Sequence, residues 1–265
     1  MRSSDACRRA AAVLAFLVLA APARAFDPER DTWLLPDDAD SRQSEPRRLV
    51  DPLEYARIRA DGNFMEPEYS RDMEVGLIDL STRKNPVALK ALLDVGANPN
   101  RLTGEYGSRA LVEAVANGDV ESVRVLLDGG ADPNLAGGGF TPLGLAALRG
   151  HAEIARLLLR AGANPTLKSK DGNTPLTAAV SFNRLGVIRE LLKYPQDLTL
   201  YNLEGRTALS LAAMEGFEEA LTLLLEAGAD PNMQDKNGNN ALYWAGYADQ
   251  VPMQKMLLKY GAYTQ

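Results

Sequence analysis

The chain contains few side chains of the kinds that catalyse reactions or hold metals. Its 265 residues include one histidine, His151, and one cysteine, Cys7. A nucleophilic triad needs a base beside a hydroxyl or a thiol, and a metal site needs several ligands close together. His151 follows Gly150 where a helix cap is expected, so we interpret it as structural. The sequence therefore predicts a non-enzymatic protein, with no catalytic residue, no metal and no cofactor.

Two segments have a partial likeness to ligand-binding loops. Residues 137–139 are three glycines, as in a phosphate-binding loop, but no strand is predicted before them and no lysine follows at the phosphate position. Residues 235–239 read Asp-Lys-Asn-Gly-Asn, as at the start of a calcium loop, but the glutamate at the twelfth position is missing. We interpret both segments as tight turns.

The element that recurs along the chain is a pair of short helices, seen most clearly at residues 141–164. Thr141 can cap the first helix, and Pro142 follows at the first helical position. Small apolar residues of this helix let another helix approach closely, and Gly150 ends it. The second helix carries an apolar stripe and ends at Gly162. Because one such pair cannot bury both of its faces, we expect copies on either side.

The glycine that closes the second helix recurs at regular intervals. It occurs at Gly96, Gly130, Gly162, Gly228 and Gly261, with Pro195 in the remaining slot, so the steps are 34, 32, 33, 33 and 33 residues. The helix openings are Thr141-Pro142-Leu143, Thr174-Pro175-Leu176, Thr207-Ala208-Leu209 and Asn240-Ala241-Leu242, after a degenerate Arg109-Ala110-Leu111. This period, with its Thr-Pro-Leu, Gly-His and Gly-Ala-Asp/Asn-Pro-Asn motifs, resembles the ankyrin repeat.

The resemblance covers residues 73–262 as six repeats, followed by a tail at 263–265. It implies an all-α solenoid of stacked helix-turn-helix units with short hairpin-like fingers between them. The fourth repeat departs most, because Pro195 cannot adopt the left-handed conformation of a glycine and its closing turn must differ. The polar residues Gln254, Lys255 and Lys259 of the last helix predict a polar outer face on the C-terminal cap.

In the ankyrin family, partners bind the fingers and the exposed side of the first helices, which line a concave groove. The resemblance therefore implies that the chain binds another protein there. The matching positions are Tyr106, Phe140, Leu148, Arg149, Lys170, Asp171, Phe182, Arg206, Met214, Lys236 and Tyr247. The apolar members would form a broken line of anchors. Any one of them can instead fold over a neighbouring finger and stabilise only the stack.

Residues 1–25 have the pattern of a secretory signal peptide, which predicts an exported bacterial protein. Arg2, Arg8 and Arg9 precede an apolar run at 10–21, and small residues at 23 and 25 suit cleavage before Phe26. The run is too short for a membrane anchor, and no later run is longer. The arginine pair leaves the twin-arginine route open beside ordinary unfolded export. We expect a periplasmic location, with the extracellular medium as the alternative.

Residues 26–72 form a charged arm interrupted by five prolines. A short helix over 53–60 and an apolar clip at Trp33-Leu34-Leu35 are the pieces expected to be ordered. The composition is equally compatible with a cap over the open end of the stack, a tether and a part of the interface.

The charge of the chain disfavours nucleic acid and anionic membranes as partners. The formal net charge is −6, and removal of residues 1–25 would leave −9. We expect a monomer that binds another protein, with acidic residues at the groove rim selecting a complementary partner. An inhibitor or immunity protein that occludes a toxic enzyme is the alternative, and an enzyme-like or ion-binding role is disfavoured because the necessary residues are missing.

Overall fold

The protein is a solenoid of stacked helix pairs. The computed structural model describes residues 33–34, 49–50, 67–94, 96–102 and 107–263. The helices in this part of the chain are α1 Pro67–Thr82, α2 Pro86–Asp94, α3 Ala110–Ala116, α4 Val120–Asp128, α5 Pro142–Arg149, α6 Ala152–Arg160, α7 Pro175–Ser181, α8 Leu185–Leu191, α9 Ala208–Glu215, α10 Glu218–Glu226, α11 Ala241–Tyr247 and α12 Val251–Lys259. Each pair stacks on the next in chain order. The predicted all-α solenoid is confirmed.

The N-terminal part of the chain contributes one short strand pair. The strands β1 Trp33–Leu34 and β2 Leu49–Val50 are antiparallel, with Trp33 opposite Val50. Helix α1 begins at Pro67, upstream of the predicted repeat boundary at residue 73. The helix predicted over 53–60 and the side chains of the predicted apolar clip lie outside the described residues.

Side-chain caps start the first helix of most repeats, as the recurring Thr and Asn predict. Each cap oxygen accepts a hydrogen bond from the backbone N–H three residues later. The four bonds are Gly144 N to Thr141 Oγ1 (3.0 Å), Thr177 N to Thr174 Oγ1 (3.1 Å), Ser210 N to Thr207 Oγ1 (3.2 Å) and Tyr243 N to Asn240 Oδ1 (2.9 Å). Arg109, in the degenerate opening, makes no such cap; its Nε donates instead to Ala136 O at 2.9 Å.

The core is a row of alanines on the first helices backed by leucines on the second. One register position carries the alanines Ala114, Ala146, Ala179, Ala212 and Ala245, all with no exposed surface. A methyl group at this position lets neighbouring first helices approach closely, as the small apolar residues predict. The second helices bury larger side chains such as Leu126, Leu158 and Leu224. Every internal repeat therefore shares its core with both neighbours.

The glycines that close the second helices adopt the predicted left-handed conformation. Their φ values are +98° for Gly96, +87° for Gly130, +88° for Gly162, +91° for Gly228 and +88° for Gly261. The backbone N–H that follows each glycine then donates back into the helix, as Ala163 N does to Leu158 O at 2.9 Å. These turns satisfy helix-end carbonyls that water would otherwise have to solvate.

The fourth repeat closes with a side chain where the others use backbone. Gln196 follows Pro195, and its Nε2 donates to Leu191 O at 2.9 Å and to Tyr194 O at 3.3 Å. Leu191 occupies the register position of Leu158, so the glutamine amide replaces the backbone N–H of Ala163 in the third repeat. The prediction that Pro195 requires a different turn is confirmed. Asn183 takes the left-handed conformation, with φ +50°.

His151 lies at the start of α6, where the sequence analysis placed it, but its side chain does not cap the helix. It occupies the N-cap position but makes no side-chain hydrogen bond to the helix. Its backbone N–H donates to Ala146 O at 2.9 Å, so the end of α5 fixes the start of α6. The ring lies over the backbone of Gly118, where a Cβ atom would come within 2.9 Å of His151 Cε1. The imidazole thus fills space between the second and third repeats.

Asparagine side chains join the loops that end successive repeats. The Nδ2 of each donates to a backbone carbonyl of the next loop and the Oδ1 accepts from a backbone N–H two residues beyond it. The bonds from Nδ2 are Asn100 to Gly130 O (2.9 Å), Asn134 to Gly162 O (3.2 Å) and Asn232 to Gly261 O (3.0 Å), and those to Oδ1 are from Asp132 N (2.7 Å), Asn164 N (2.7 Å) and Tyr263 N (3.0 Å). We call each such pair of bonds a staple.

Candidate binding groove

The fingers are tight turns that precede the first helices, and adjacent fingers are joined through their backbones. In the finger before α5, Gly137 and Phe140 exchange two hydrogen bonds of 3.0 and 3.1 Å. We call the bonds between fingers rungs. They run from Gly138 N to Gly107 O (3.2 Å), Lys170 N to Gly139 O (3.0 Å) and Lys236 N to Gly205 O (3.0 Å). The rungs hold the fingers side by side, as the predicted hairpin-like architecture requires.

Three of the predicted apolar anchors are partly buried. Phe140 and Leu148 pack against the hydrophobic core, so both stabilise the stack whatever else they bind. Met214 on α9 is half-buried. Tyr106 lies outside the described residues. Phe140, Leu148 and Met214 therefore do not form an exposed apolar line.

Among the internal repeats, the most exposed apolar side chains of the groove belong to the fourth and fifth repeats. Phe182, which ends α7, is 52% exposed, and Leu203, at the tip of the finger before α9, is 70% exposed. Leu203 shares its finger register with Lys170 and Lys236, yet the sequence analysis did not include it among the anchors. Its apolar character was the available signal, since the other fingers have Gly138, Lys170 and Lys236 at this register position. Phe182 and Leu203 together are the best anchors that the groove offers.

The predicted charged positions divide into solvent-facing and structural ones. Arg149, Lys170, Asp171 and Lys236 are exposed. Arg206 instead packs its guanidinium over the Trp244 ring, 4.7 Å from the ring centroid, and pairs with Glu204 at 3.1 Å. A cation over an indole stabilises the contact between the fifth and sixth repeats.

The groove rim is not uniformly acidic, contrary to the sequence expectation. Its exposed charges include Arg149, Lys170 and Lys236 beside Asp171 and Glu204. Much of the negative charge lies on the outer, second helices, where acidic residues begin α4, α6 and α10. Net charge alone could not reveal this division, because it says nothing of which helix carries which residue.

An aromatic cluster covers the outer end of the last repeat. Trp244 meets the rings of Tyr243 and Tyr247 edge-on, with centroids 5.5 and 5.6 Å apart. Tyr247 is 74% exposed and lines an open cleft of about 410 Å³ together with Leu242, Tyr243, Gly246, Gln254 and Leu258. Lys255 and Lys259 are exposed as predicted, but so is Leu258 between them. The outer face of the cap is therefore mixed, with an apolar side chain beside the predicted lysines.

The carboxylate of Asp235 is engaged in the turn that the calcium-like segment forms. Its Oδ1 accepts from the backbone N–H groups of Asn237 (2.8 Å) and Asn239 (3.0 Å), and its Oδ2 accepts from Trp244 Nε1 (2.8 Å). Within the described ranges, no group of three or more His, Cys, Asp or Glu side chains is placed to hold a metal ion. Over the same residues, no helix is long and apolar enough to cross a membrane.

Comparison with known proteins yields relatives that are similar to parts of this chain in sequence. The chain is 40% identical over 115 residues to protein PhlB of Serratia liquefaciens, covering 42% of the chain and 50% of PhlB. It is 44% identical over 86 residues to 2-5A-dependent ribonuclease of Homo sapiens, covering 29% of the chain and 12% of that protein. It is 32% identical over 249 residues to SH3 and multiple ankyrin repeat domains protein 1 of Mus musculus, covering 89% of the chain and 10% of that protein. The chain thus spans at most half of the length of these relatives.

The family descriptions that match the chain span most of the helical stack. The description "Ankyrin repeats (3 copies)" matches residues 130–202, 161–235 and 195–265, and "Ankyrin repeat" matches residues 106–137. Together these matches cover more than half of the chain and coincide with the repeats that the structure shows. The chain belongs to the ankyrin-repeat family, whose repeats serve as protein-interaction modules.

Proposed function

We propose that this chain binds a partner protein through the groove between the fingers and the first helices, and that it does so in the periplasm without catalysing a reaction. The observation that carries the groove assignment is the exposure of Phe182 and Leu203 on two neighbouring repeats. Large apolar side chains ringed by polar residues are typical hot spots of protein interfaces. The exposed Arg149 and Lys170 nearby would favour a partner that presents carboxylates.

The groove assignment is tested by site-specific photocrosslinking. A benzophenone amino acid is placed at position 182, or at the exposed position 160 on the outer helix α6 as the matched control, and each protein is illuminated in an extract of the source organism. We expect one dominant adduct from position 182, lost when Leu203→Ala is added, and none from position 160. Equal adducts from both positions would contradict the groove assignment.

The identity of the captured protein decides the biological role. If it is an enzyme whose activity falls on binding, the chain is an inhibitor, as the alternative interpretation of the sequence holds. If its activity or folding improves, the chain is a helper of its partner. Either result leaves the groove assignment intact.

The periplasmic location is proposed from residues 1–25, with their basic start, apolar run and small residues before Phe26. The full-length chain, expressed in a bacterial host, is fractionated and its mature mass measured. We expect a periplasmic product that begins at Phe26. An uncleaved product in the cytoplasm would contradict the proposal, and export in a host without a twin-arginine system would exclude that route.

A further inference from the structure

Besides the packing of helices, two kinds of hydrogen-bonded connection join adjacent repeats. The staple joins the closing loops, and the rung joins the fingers. The junction of the second and third repeats (α3–α4 and α5–α6) has both, through Asn134 and through Gly138. The junction of the fifth and sixth repeats (α9–α10 and α11–α12) also has both, through Asn232 and through Lys236. These two junctions are the reference for a complete connection.

The staple is missing wherever threonine replaces the loop asparagine. Thr166 Oγ1 donates to Asn164 Oδ1 at 2.9 Å, and Thr199 Oγ1 donates to Asp197 Oδ1 at 2.5 Å, so both hydroxyls turn back into their own loop. A threonine hydroxyl also lacks the second polar atom and the reach with which the asparagine amide spans to the next loop. Both junctions of the fourth repeat (α7–α8) therefore lack a staple.

The rung is missing at one of these two junctions. Between the third and fourth repeats, Lys170 N donates to Gly139 O at 3.0 Å. Between the fourth and fifth repeats, the register-equivalent groups are Leu203 N–H and Gly172 C=O, and no backbone hydrogen bond joins them in the described structure. The fourth–fifth junction is thus the one junction between the second and sixth repeats, all within the described residues, that has neither connection.

Only helix packing and exposed side chains cross the fourth–fifth junction. Lys168 Nζ donates to Tyr201 O at 2.7 Å, and Arg189 on α8 pairs with Glu219 on α10. The side chains of this ion pair are 53% and 52% exposed, and such surface pairs contribute little to stability. Helix α8 is also short, with seven residues against nine in the second helices α2, α4, α6, α10 and α12.

We propose that the fourth–fifth junction is a hinge at which the solenoid opens before it unfolds elsewhere, so that repeats one to four and repeats five and six behave as two cooperative units. In a solenoid, stability is a sum of repeat terms and nearest-neighbour junction terms, so the weakest junction divides the cooperative unit. Phe182 and Leu203 lie on opposite sides of this hinge, so its opening changes their separation. The proposal does not depend on which partner the groove binds.

The hinge is tested by following the unfolding of the full chain with two probes. Trp33→Phe leaves Trp244 of the sixth repeat as the single tryptophan, and its fluorescence is compared with far-UV circular dichroism in urea. We expect the Trp244 transition at lower urea than the helicity transition, since the two-repeat unit has the smaller core. Coincident transitions would overturn the proposal, because separate units whose cores differ in size would not unfold over the same range of urea.

The second measurement restores the missing staple. Asn at position 199 would face Gly228 C=O and Asp230 N–H, which have no other hydrogen bond within the described residues. In Thr199→Asn we expect the two transitions to converge and the amides of α8 and α9 to exchange about fivefold more slowly, as one net hydrogen bond predicts. The matched control Asn232→Thr removes a staple at the next junction and should separate the transitions further. Unchanged exchange in a folded Thr199→Asn protein would overturn the proposal.

Discussion

At the scale of single residues, several glycines provide space as well as a backbone conformation. Gly118 lies under His151, Gly150 under the side chain of Arg184, and Gly216 under the amide of Gln250. In each case the covering residue belongs to the next repeat and occupies the N-cap position of its second helix. The left-handed conformation of these glycines could be predicted from the helix-stop pattern. The covering contact could not, because it depends on the distance between repeats.

Alanine substitutions at two glycines separate the conformational and steric contributions. Gly138 has φ +59° with open space around a Cβ, whereas at Gly118, φ +67°, a Cβ would meet the His151 ring at 2.9 Å. We expect Gly138→Ala to lower the free energy of unfolding by about 1 kcal/mol and Gly118→Ala by about 2 kcal/mol, from urea titrations. Equal losses would show that the imidazole moves away without cost.

The pKa of His151 makes stability depend on pH near neutrality. Burial lowers this pKa below the ordinary 6.5, and the positive charges of Arg149, Arg184 and Lys84 lower it further. The unfolded chain therefore takes up a proton first as the pH falls, so the folded state loses stability below about pH 6.5 until the lowered pKa is passed. We expect the urea midpoint to fall more between pH 7.5 and 5.5 in the wild type than in His151→Gln.

The titration of Glu74 has the opposite effect on the pH dependence of stability. Glu74 is present in both the wild type and His151→Gln. Burial raises the pKa of its carboxyl, although the nearby Arg101 partly offsets this. A raised carboxyl pKa stabilises the folded state as the pH falls, so Glu74→Gln should steepen the loss of stability on acidification. If His151→Gln shows the same pH dependence as the wild type, the imidazole contributes nothing.

At the scale of the helices, first and second helices begin in different ways. The first helices α5, α7, α9 and α11 begin at a side-chain cap, and this could be predicted from Thr141, Thr174, Thr207 and Asn240. Most second helices begin without one, since the backbone turn from the preceding helix fixes their first residue. Asp119 of α4 is an exception, because its Oδ1 accepts from Ser122 N at 3.4 Å. A side-chain cap expected at both helices is therefore found at the first helices and not at His151.

The glutamine that closes α8 is expected to stabilise the fourth repeat. Gln196→Ala leaves the carbonyls of Leu191 and Tyr194 without the amide that now donates to them. We expect the free energy of unfolding to fall by about 1 kcal/mol. Adding Pro195→Gly should recover part of this loss, because glycine can form the turn that the other repeats use. Thermal denaturation of the two variants tests both statements, and no loss in Gln196→Ala would refute the first.

At the scale of the whole molecule, the repeat pattern predicts the fold much better than the binding surface. The period of about 33 residues and the helix-stop glycines are local signals, and the stack follows from them. The solvent exposure of a side chain, by contrast, depends on residues that are distant in the sequence. Phe140 and Phe182 both looked like anchors, yet Phe140 packs on the core and Phe182 is 52% exposed. Phe140 lies just before the N-cap of α5, whereas Phe182 lies at the C-terminal end of α7.

Exposed apolar side chains concentrate in the last repeat, because no further repeat covers it in the described structure. Leu258 of α12 is 53% exposed, whereas Leu225, at the same register position of α10, is 6% exposed. We expect Leu258→Gln to change the free energy of unfolding by less than about 0.5 kcal/mol and to lower the binding of an apolar dye. The matched Leu225→Gln should destabilise the protein by about 3 kcal/mol. Similar losses in both variants would show that Leu258 is covered in solution.

The staples are asymmetric, because the upstream repeat supplies the asparagine side chain and the downstream repeat supplies only backbone groups. Asn100, Asn134 and Asn232 bond only to backbone groups of the following loop, whose side chains differ, being Asp132, Asn164 and Tyr263 at the accepting position. The downstream repeat therefore needs no matching side chain, and the loop residue of the upstream repeat decides whether a staple forms. A duplicated or transplanted repeat with asparagine at this loop position can therefore form a staple to any repeat that follows it. Such an array can lengthen toward its C terminus by copying single units, without any coordinated change in the unit that receives them.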